Sequence, residues 1–240
     1  MSSYKDVEPA QLEDQEKARI LDSNDLHQVS LVSLSLGALF GLSLFFLFTS
    51  ELFQLPLYIL CLSLFHFLEY YITAKFNTDK VSLDSFLINN GAEYVLAHSL
   101  AIIEVVSEAH WFPNLKSHRY ISFFGLVLVV FGQFLRSTAM VTAGRSFSHI
   151  ISTTKKKEHV LVTNGMYKYT RHPSYAGFFW WALGTQLMLC NPICFIGFLF
   201  TLRRFFKHRI EFEEQYLVAF FSRDYINYKS CTGTLIPFIK

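Results

Sequence analysis

Residues 175–206 read YAGFFWWALGTQLMLCNPICFIGFLFTLRRFF, with no charged side chain before Arg203. The stretch is too long for one crossing of a hydrocarbon core about 30 Å thick, which takes roughly 20 residues. Asn191-Pro192 breaks it in the middle, because proline removes a backbone donor and disfavours helix at the residue before it. It therefore predicts two short helices joined by a tight turn, with both open ends on one side of a membrane. Ionisable groups gather at those ends: Arg171-His172-Pro173-Ser174-Tyr175 before the hairpin, and Arg209 with Glu213-Glu214 after it. That placement suggests a reaction site at the bilayer surface.

Working outward, further apolar blocks lie at 29–49, 52–73, 93–112 and 120–141, each close to membrane length. With 175–190 and 192–206 they make six expected spans. Backbone groups in lipid must be satisfied internally, and no alternating barrel pattern occurs. The expected fold is an all-α integral membrane protein: a single transmembrane domain over 28–240 behind an acidic, mobile cytosolic tail at 1–27. That tail holds seven acids against three bases. An even span count puts both termini on one side, which also takes every Lys and Arg except Lys116, Arg119 and the intra-span Arg136. By the positive-inside rule this side is cytosolic.

The net charge of +2 is too small to argue for nucleic acid, and 52% of the residues are hydrophobic. The four cysteines show no metal-type pair of pairs. A di-iron bundle needs Glu-x-x-His repeats, whereas only the reversed His66-x-x-Glu69 is present. No metal is expected. No Gly-x-Gly-x-x-Gly occurs, so any cofactor must be held by the bundle mouth and two polar segments, about 142–175 and 207–240. No basic region precedes the first apolar block, so no cleavable signal is expected.

In the first segment, apolar Val160, Leu161 and Val162 interleave with His159, the Asn164-Gly165 turn and Tyr167. Such a run suits cradling a flat base and its sugar, and equally an interfacial loop anchored by tyrosines. Pro173 suits the first helical turn, which leaves Ser174 and Tyr175 at a helix start where backbone donors can hold an anion. In the second segment Arg209 and Glu213 share a helix face at i, i+4. A surface pair of this kind is worth roughly 0.5 kcal/mol, but a guanidinium at the interface also suits bidentate capture of a carboxylate. Within the spans, His66, Glu69, Glu104, Glu108 and Arg136 are expected to be structural partners of one another. Gly37-x-x-x-Gly41 is expected to be a helix-packing face.

Thr142-Ala143-Gly144, Phe147-x-His149, His159-Val160-Leu161-Val162, Gly165, Arg171-His172-Pro173-Ser174-Tyr175-x-Gly177, the Asn191-Pro192 hairpin and Glu213-Glu214 occur together. Phe65-His66-Phe67-Leu68-Glu69-Tyr70-Tyr71 and Ile236-Pro237-Phe238-Ile239 extend the set. This combination closely resembles the isoprenylcysteine carboxyl methyltransferase family over roughly residues 28 to 239. The resemblance implies a multi-pass endoplasmic reticulum enzyme that moves a methyl group from S-adenosyl-L-methionine to the free carboxylate of a C-terminal farnesyl- or geranylgeranyl-cysteine. Its partners would be prenylated proteins and the lipid bilayer, with a homo-oligomer compatible. By matching positions, it places cofactor contacts on Ser152, His159, Val160, Leu161, Val162, Tyr167, His172, Pro173, Ser174 and Tyr175. Arg209 and Glu213 fall at the substrate end as catalytic residues, with Arg209 gripping the carboxylate and Glu213 holding Arg209 or a polar part of the cofactor.

An α-carboxylate with a pKa of about 3.5 is already ionised at neutral pH, so the reaction needs no general base. Positioning and desolvation would carry the catalysis. A phospholipid N-methyltransferase, which must accommodate an amine, a sterol reductase, which needs a nicotinamide site, and a receptor for lipidated proteins are the alternatives.

Overall fold

The computed structural model describes residues 25–155 and 159–240. The acidic tail expected at 1–27 lies, up to residue 24, outside them. Among the described residues every regular element is helical, the α-helices being α1 (Leu26–Thr49), α2 (Gln54–Phe76), α3 (Ala92–Trp111), the single turn α4 (Pro113–Lys116), α5 (Arg119–Ala143), α6 (Pro173–Met188) and α7 (Pro192–Cys231). Three segments are long and apolar enough to cross a membrane: Leu26–Thr49, Gln54–Phe76 and Arg119–Ser146. The other three expected spans are helices at their expected places, but each falls short for its own reason. Helix α3 carries Glu93, Glu104 and Glu108, α6 has 16 residues and so reaches about 24 Å, and only the first half of α7 is apolar.

Helix α6 is the centre of the fold. Ala176, Phe179, Trp181, Ala182, Leu183 and Met188 are all buried, so it is enclosed on every side rather than facing lipid. It lies against α5 backbone to backbone. A Cβ on Gly132 would stand 2.4 Å from the Trp181 amide nitrogen, and one on Gly125 2.2 Å from that of Met188. Gly177 and Gly184 answer from α6, where a Cβ would meet the amides of Arg136 at 2.6 Å and Val129 at 2.7 Å. The expected packing face at Gly37 and Gly41 is not used this way, since nothing lies within 4 Å of a Cβ at either. The signal was glycine at a seven-residue spacing on two facing helices, not at a four-residue spacing on one.

The hairpin turns at Cys190-Asn191, and Pro192 opens α7. The second arm does not end near 206 as the apolar length predicts. The 40-residue α7 continues until Ser222, whose φ of 50° and ψ of −122° break it. Apolarity marks where a helix leaves lipid, not where it stops. Beyond the break, 223–231 folds back on α7: Tyr225 Oη and Lys229 Nζ both donate to Glu214, at 3.1 and 2.5 Å.

Candidate active site

The two polar segments meet at the open end of the hairpin. Gly165, at φ +54°, begins a short 3-10 turn. A Cβ there would stand 2.9 Å from Thr142 Cγ2, so glycine permits both the conformation and the approach of this turn to α5. His172 (φ −128°, ψ 61°) precedes α6, and Pro173 opens its first turn. The imidazole of His172 stacks on the Tyr175 ring, with centroids 5.4 Å apart and planes 3° from parallel.

Between these elements and α7 lies a pocket open to solvent. Of the residues proposed from the sequence, Val160, Val162, Tyr167, His172, Pro173, Ser174, Tyr175 and Glu213 line it. Ser152, His159 and Leu161 do not. The Ser152 hydroxyl donates to the Thr154 carbonyl at 3.3 Å, and the His159 ring lies beside Phe220 at 6.2 Å. Sequence reasoning also left out Ala143, Ser146, Phe147, Ser148, Arg171 and Leu217 from the wall. Leu217 was findable, because it follows Glu213 by one helical turn on α7.

Arg209 stands outside this wall, behind Tyr175. Its Nε donates to Tyr175 Oη at 2.9 Å and its Nη2 to the His149 carbonyl at 2.6 Å. The guanidinium lies 5.3 Å from the Tyr175 ring centroid, a cation–π arrangement. Among the described residues it makes no ion pair with Glu213. Glu213 points to the pocket instead, with Oε2 3.6 Å from His172 Nδ1.

The neighbouring Glu214 has a structural part. Buried, it accepts from Arg171 Nε at 2.5 Å and His172 Nε2 at 3.2 Å besides Tyr225 and Lys229. Burial alone would raise its pKa, but the hydrogen bonds from His172, Lys229 and Arg171 outweigh that and hold the carboxyl well below the ordinary carboxylate range. Burial pushes the Tyr228 phenol up to about 12. Its hydroxyl donates to the Tyr167 carbonyl at 2.5 Å, which clamps the 3-10 turn to the tail.

Two polar atoms of the pocket residues are buried without a hydrogen-bond partner: Arg171 Nη2 and Glu213 Oε2. An orphaned donor and an orphaned acceptor of opposite charge are costly unless a ligand completes them. A ligand with both a carboxylate and an ammonium, such as the amino-acid end of S-adenosyl-L-methionine, fits that demand. Val160, Val162, Phe147 and Leu217 supply apolar surface for a flat base.

The charged groups inside the helices are paired, though not as spacing implied. Glu69 grips Arg136 with two hydrogen bonds of 2.5 and 2.8 Å. Glu104 and Glu108 do not partner each other. Glu104 accepts from the Ile193 and Cys194 amides at the start of α7, both at 2.7 Å, and Glu108 accepts from Lys116 at 2.7 Å. His66 bonds the Phe86 carbonyl at 2.8 Å and Tyr94 Oη at 3.1 Å.

The isoprenylcysteine carboxyl methyltransferase family model matches residues 125–219. The chain is 49% identical over 233 residues to the protein-S-isoprenylcysteine O-methyltransferase of Saccharomyces cerevisiae, covering 95% of this chain and 98% of that protein. To the enzyme of the same name from Homo sapiens it is 43% identical over 215 residues, covering 89% and 76%. The solved structure of the eukaryotic intramembrane Ras methyltransferase of this family aligns with a TM-score of 0.86 at 37% identity, over 88% of this chain and 77% of that one. The bundle, the hairpin and the agreement over nearly the whole length lead to one conclusion: this chain is a multi-pass intramembrane protein that belongs to the isoprenylcysteine carboxyl methyltransferase family.

Proposed function

We propose that the protein transfers a methyl group from S-adenosyl-L-methionine to the ionised α-carboxylate of a C-terminal prenylated cysteine, at the mouth of the α6–α7 hairpin. The observation that carries this reading is the pairing of a pocket holding orphaned Arg171 Nη2 and Glu213 Oε2 with a held guanidinium, Arg209, just across Tyr175. When bound, the donor supplies an electrophilic methyl on a sulfonium. Arg171 and Glu213 are assigned to its carboxylate and ammonium. Val160, Val162, Tyr167, His172, Pro173, Ser174 and Tyr175 are assigned as its walls; Ser152, His159 and Leu161 lie outside them. Arg209 is assigned to bind the acceptor carboxylate and aim one oxygen at the methyl. No general base is required, since that carboxylate is ionised at neutral pH.

The prenyl chain is taken up from the bilayer among the apolar helices, where burial yields about 0.8 kcal/mol per CH₂. In this reading α3, α6 and the first half of α7 complete six spans of a single domain. The mouth and both termini face the cytosol, and the membrane is that of the endoplasmic reticulum.

Labelled donor with N-acetyl-farnesylcysteine tests the reaction. The expected result is a base-labile methyl ester on the prenylated acceptor, none on unprenylated N-acetylcysteine, and turnover down at least a hundredfold in Arg209→Ala at saturating substrates. Preferential labelling of a phospholipid amine, or normal turnover in Arg209→Ala, would contradict it.

A further inference from the structure

The pocket and Arg209 account for the mouth of the hairpin but not for the ion pair beneath it. Glu69 is 1% and Arg136 6% exposed. Exchanging a buried pair for well-packed apolar residues is often neutral or stabilising, so its presence is weak evidence of a stabilising role. Its spare hydrogen-bonding capacity goes to the site. Arg136 Nη1 donates to Ser174 Oγ at 3.0 Å, in the pocket wall. Glu69 Oε2 accepts from His149 Nε2 at 2.9 Å, and the carbonyl of that same His149 holds Arg209 Nη2.

We propose that Glu69 is a positioning residue for methyl transfer: it fixes His149, and the His149 carbonyl in turn sets the direction of the Arg209 guanidinium toward the acceptor carboxylate. This rests on the assignment of Arg209 made above. Arg209 sits on a long, partly exposed side chain with two anchors, the Tyr175 hydroxyl on a helix and the His149 carbonyl on a segment without regular structure. An anchor on such a segment is only as fixed as the segment. Its start is tied to the end of α2, where Asn77 Nδ2 and Lys80 Nζ donate to the Phe147 carbonyl at 2.7 and 2.6 Å. The imidazole of His149 ties the residue that matters to the rigid bundle. Carboxylate capture by a fork of donors depends on direction as well as charge, and small misplacements of a positioning group are expensive in rate.

His149→Ala removes the imidazole but keeps the carbonyl and the Glu69–Arg136 pair. We expect kcat/KM for N-acetyl-farnesylcysteine to fall about tenfold while the KM for S-adenosyl-L-methionine stays unchanged. His149→Gln, whose amide can still donate to Glu69, should recover most of the loss. Glu69→Gln should show the same acceptor defect. In an Arg209→Lys background, His149→Ala should cost less than twofold, because the group it acts through is gone. A full tenfold loss in both backgrounds, or an equal rise in donor KM, would overturn the positioning role. So would normal kinetics in His149→Ala beside a crippled Arg209→Lys, which would leave the Arg209 assignment standing. Unimpaired Arg209→Lys would overturn that assignment and the positioning role with it.

Discussion

The two ends of the α6–α7 hairpin are both rich in charge, yet they spend it differently. At the closed end Lys116 and Glu104 are fully engaged. Lys116 Nζ donates to Glu108 Oε2, to the Leu189 and Cys190 carbonyls that end α6, and to Asn191 Oδ1, over 2.7 to 3.1 Å. Glu104 takes the free amides that begin α7, so both orphan sets of the helix ends are satisfied. At the open end Arg171 pairs with Glu214 and Glu213 lies beside His172, yet Arg171 Nη2 and Glu213 Oε2 are buried without a hydrogen-bond partner. Completed hydrogen bonding at the turn holds the hairpin shut; incomplete hydrogen bonding at the mouth is a demand for a ligand. Burial of ionisable groups is common to both ends, so burial alone does not mark a functional site.

The contact that joins the ends gives the largest expected effect. Gly132→Leu would drive a side chain into the α6 backbone at Trp181, and no folded, monodisperse protein should be recovered on detergent gel filtration. Next, Lys116→Met should cost about 3 kcal/mol, because it leaves a half-buried Glu108 and two carbonyls without their partner. Thermal unfolding in detergent would report this, and the donor KM of the surviving folded enzyme should not change.

A smaller effect separates the two glutamates of the mouth. The folded pKa of Glu214 is depressed, so its contribution is complete above the ordinary carboxylate pKa of about 4.3 and is lost as pH falls below it. Protection factors of the amides in 223–231, with the intrinsic pH dependence of exchange divided out, should fall on acidification through that range. Glu214→Gln should remove the pH dependence.

Much of this fold was legible because apolar length and a central proline are local signals. The six principal helices and the turn at Asn191 followed from them. The continuation of α7 past 206 was hidden because a helix in water needs no apolar run, and Ser222 is an unlikely residue for a left-handed break. The partners of Glu104 and Lys116 at the hairpin turn lie 73 to 90 residues away in sequence, beyond the reach of any i, i+4 rule. For the site, the Arg171–Tyr175 run announced a cluster, but its spacing could not divide the labour: adjacent Glu213 and Glu214 look alike until one is seen holding the tail and the other facing the pocket.

The contrast between the two ends is tested most directly by equilibrium binding of S-adenosyl-L-methionine to Glu213→Gln and Glu104→Gln, with Tm measured on the same samples. Glu213→Gln should weaken donor binding about tenfold and leave Tm within a degree or two of the parent. Glu104→Gln should lower stability by about 1.5–3 kcal/mol and leave the donor Kd unchanged. Unchanged donor affinity in Glu213→Gln, or a loss of affinity in Glu104→Gln equal to that at the mouth, would contradict the account.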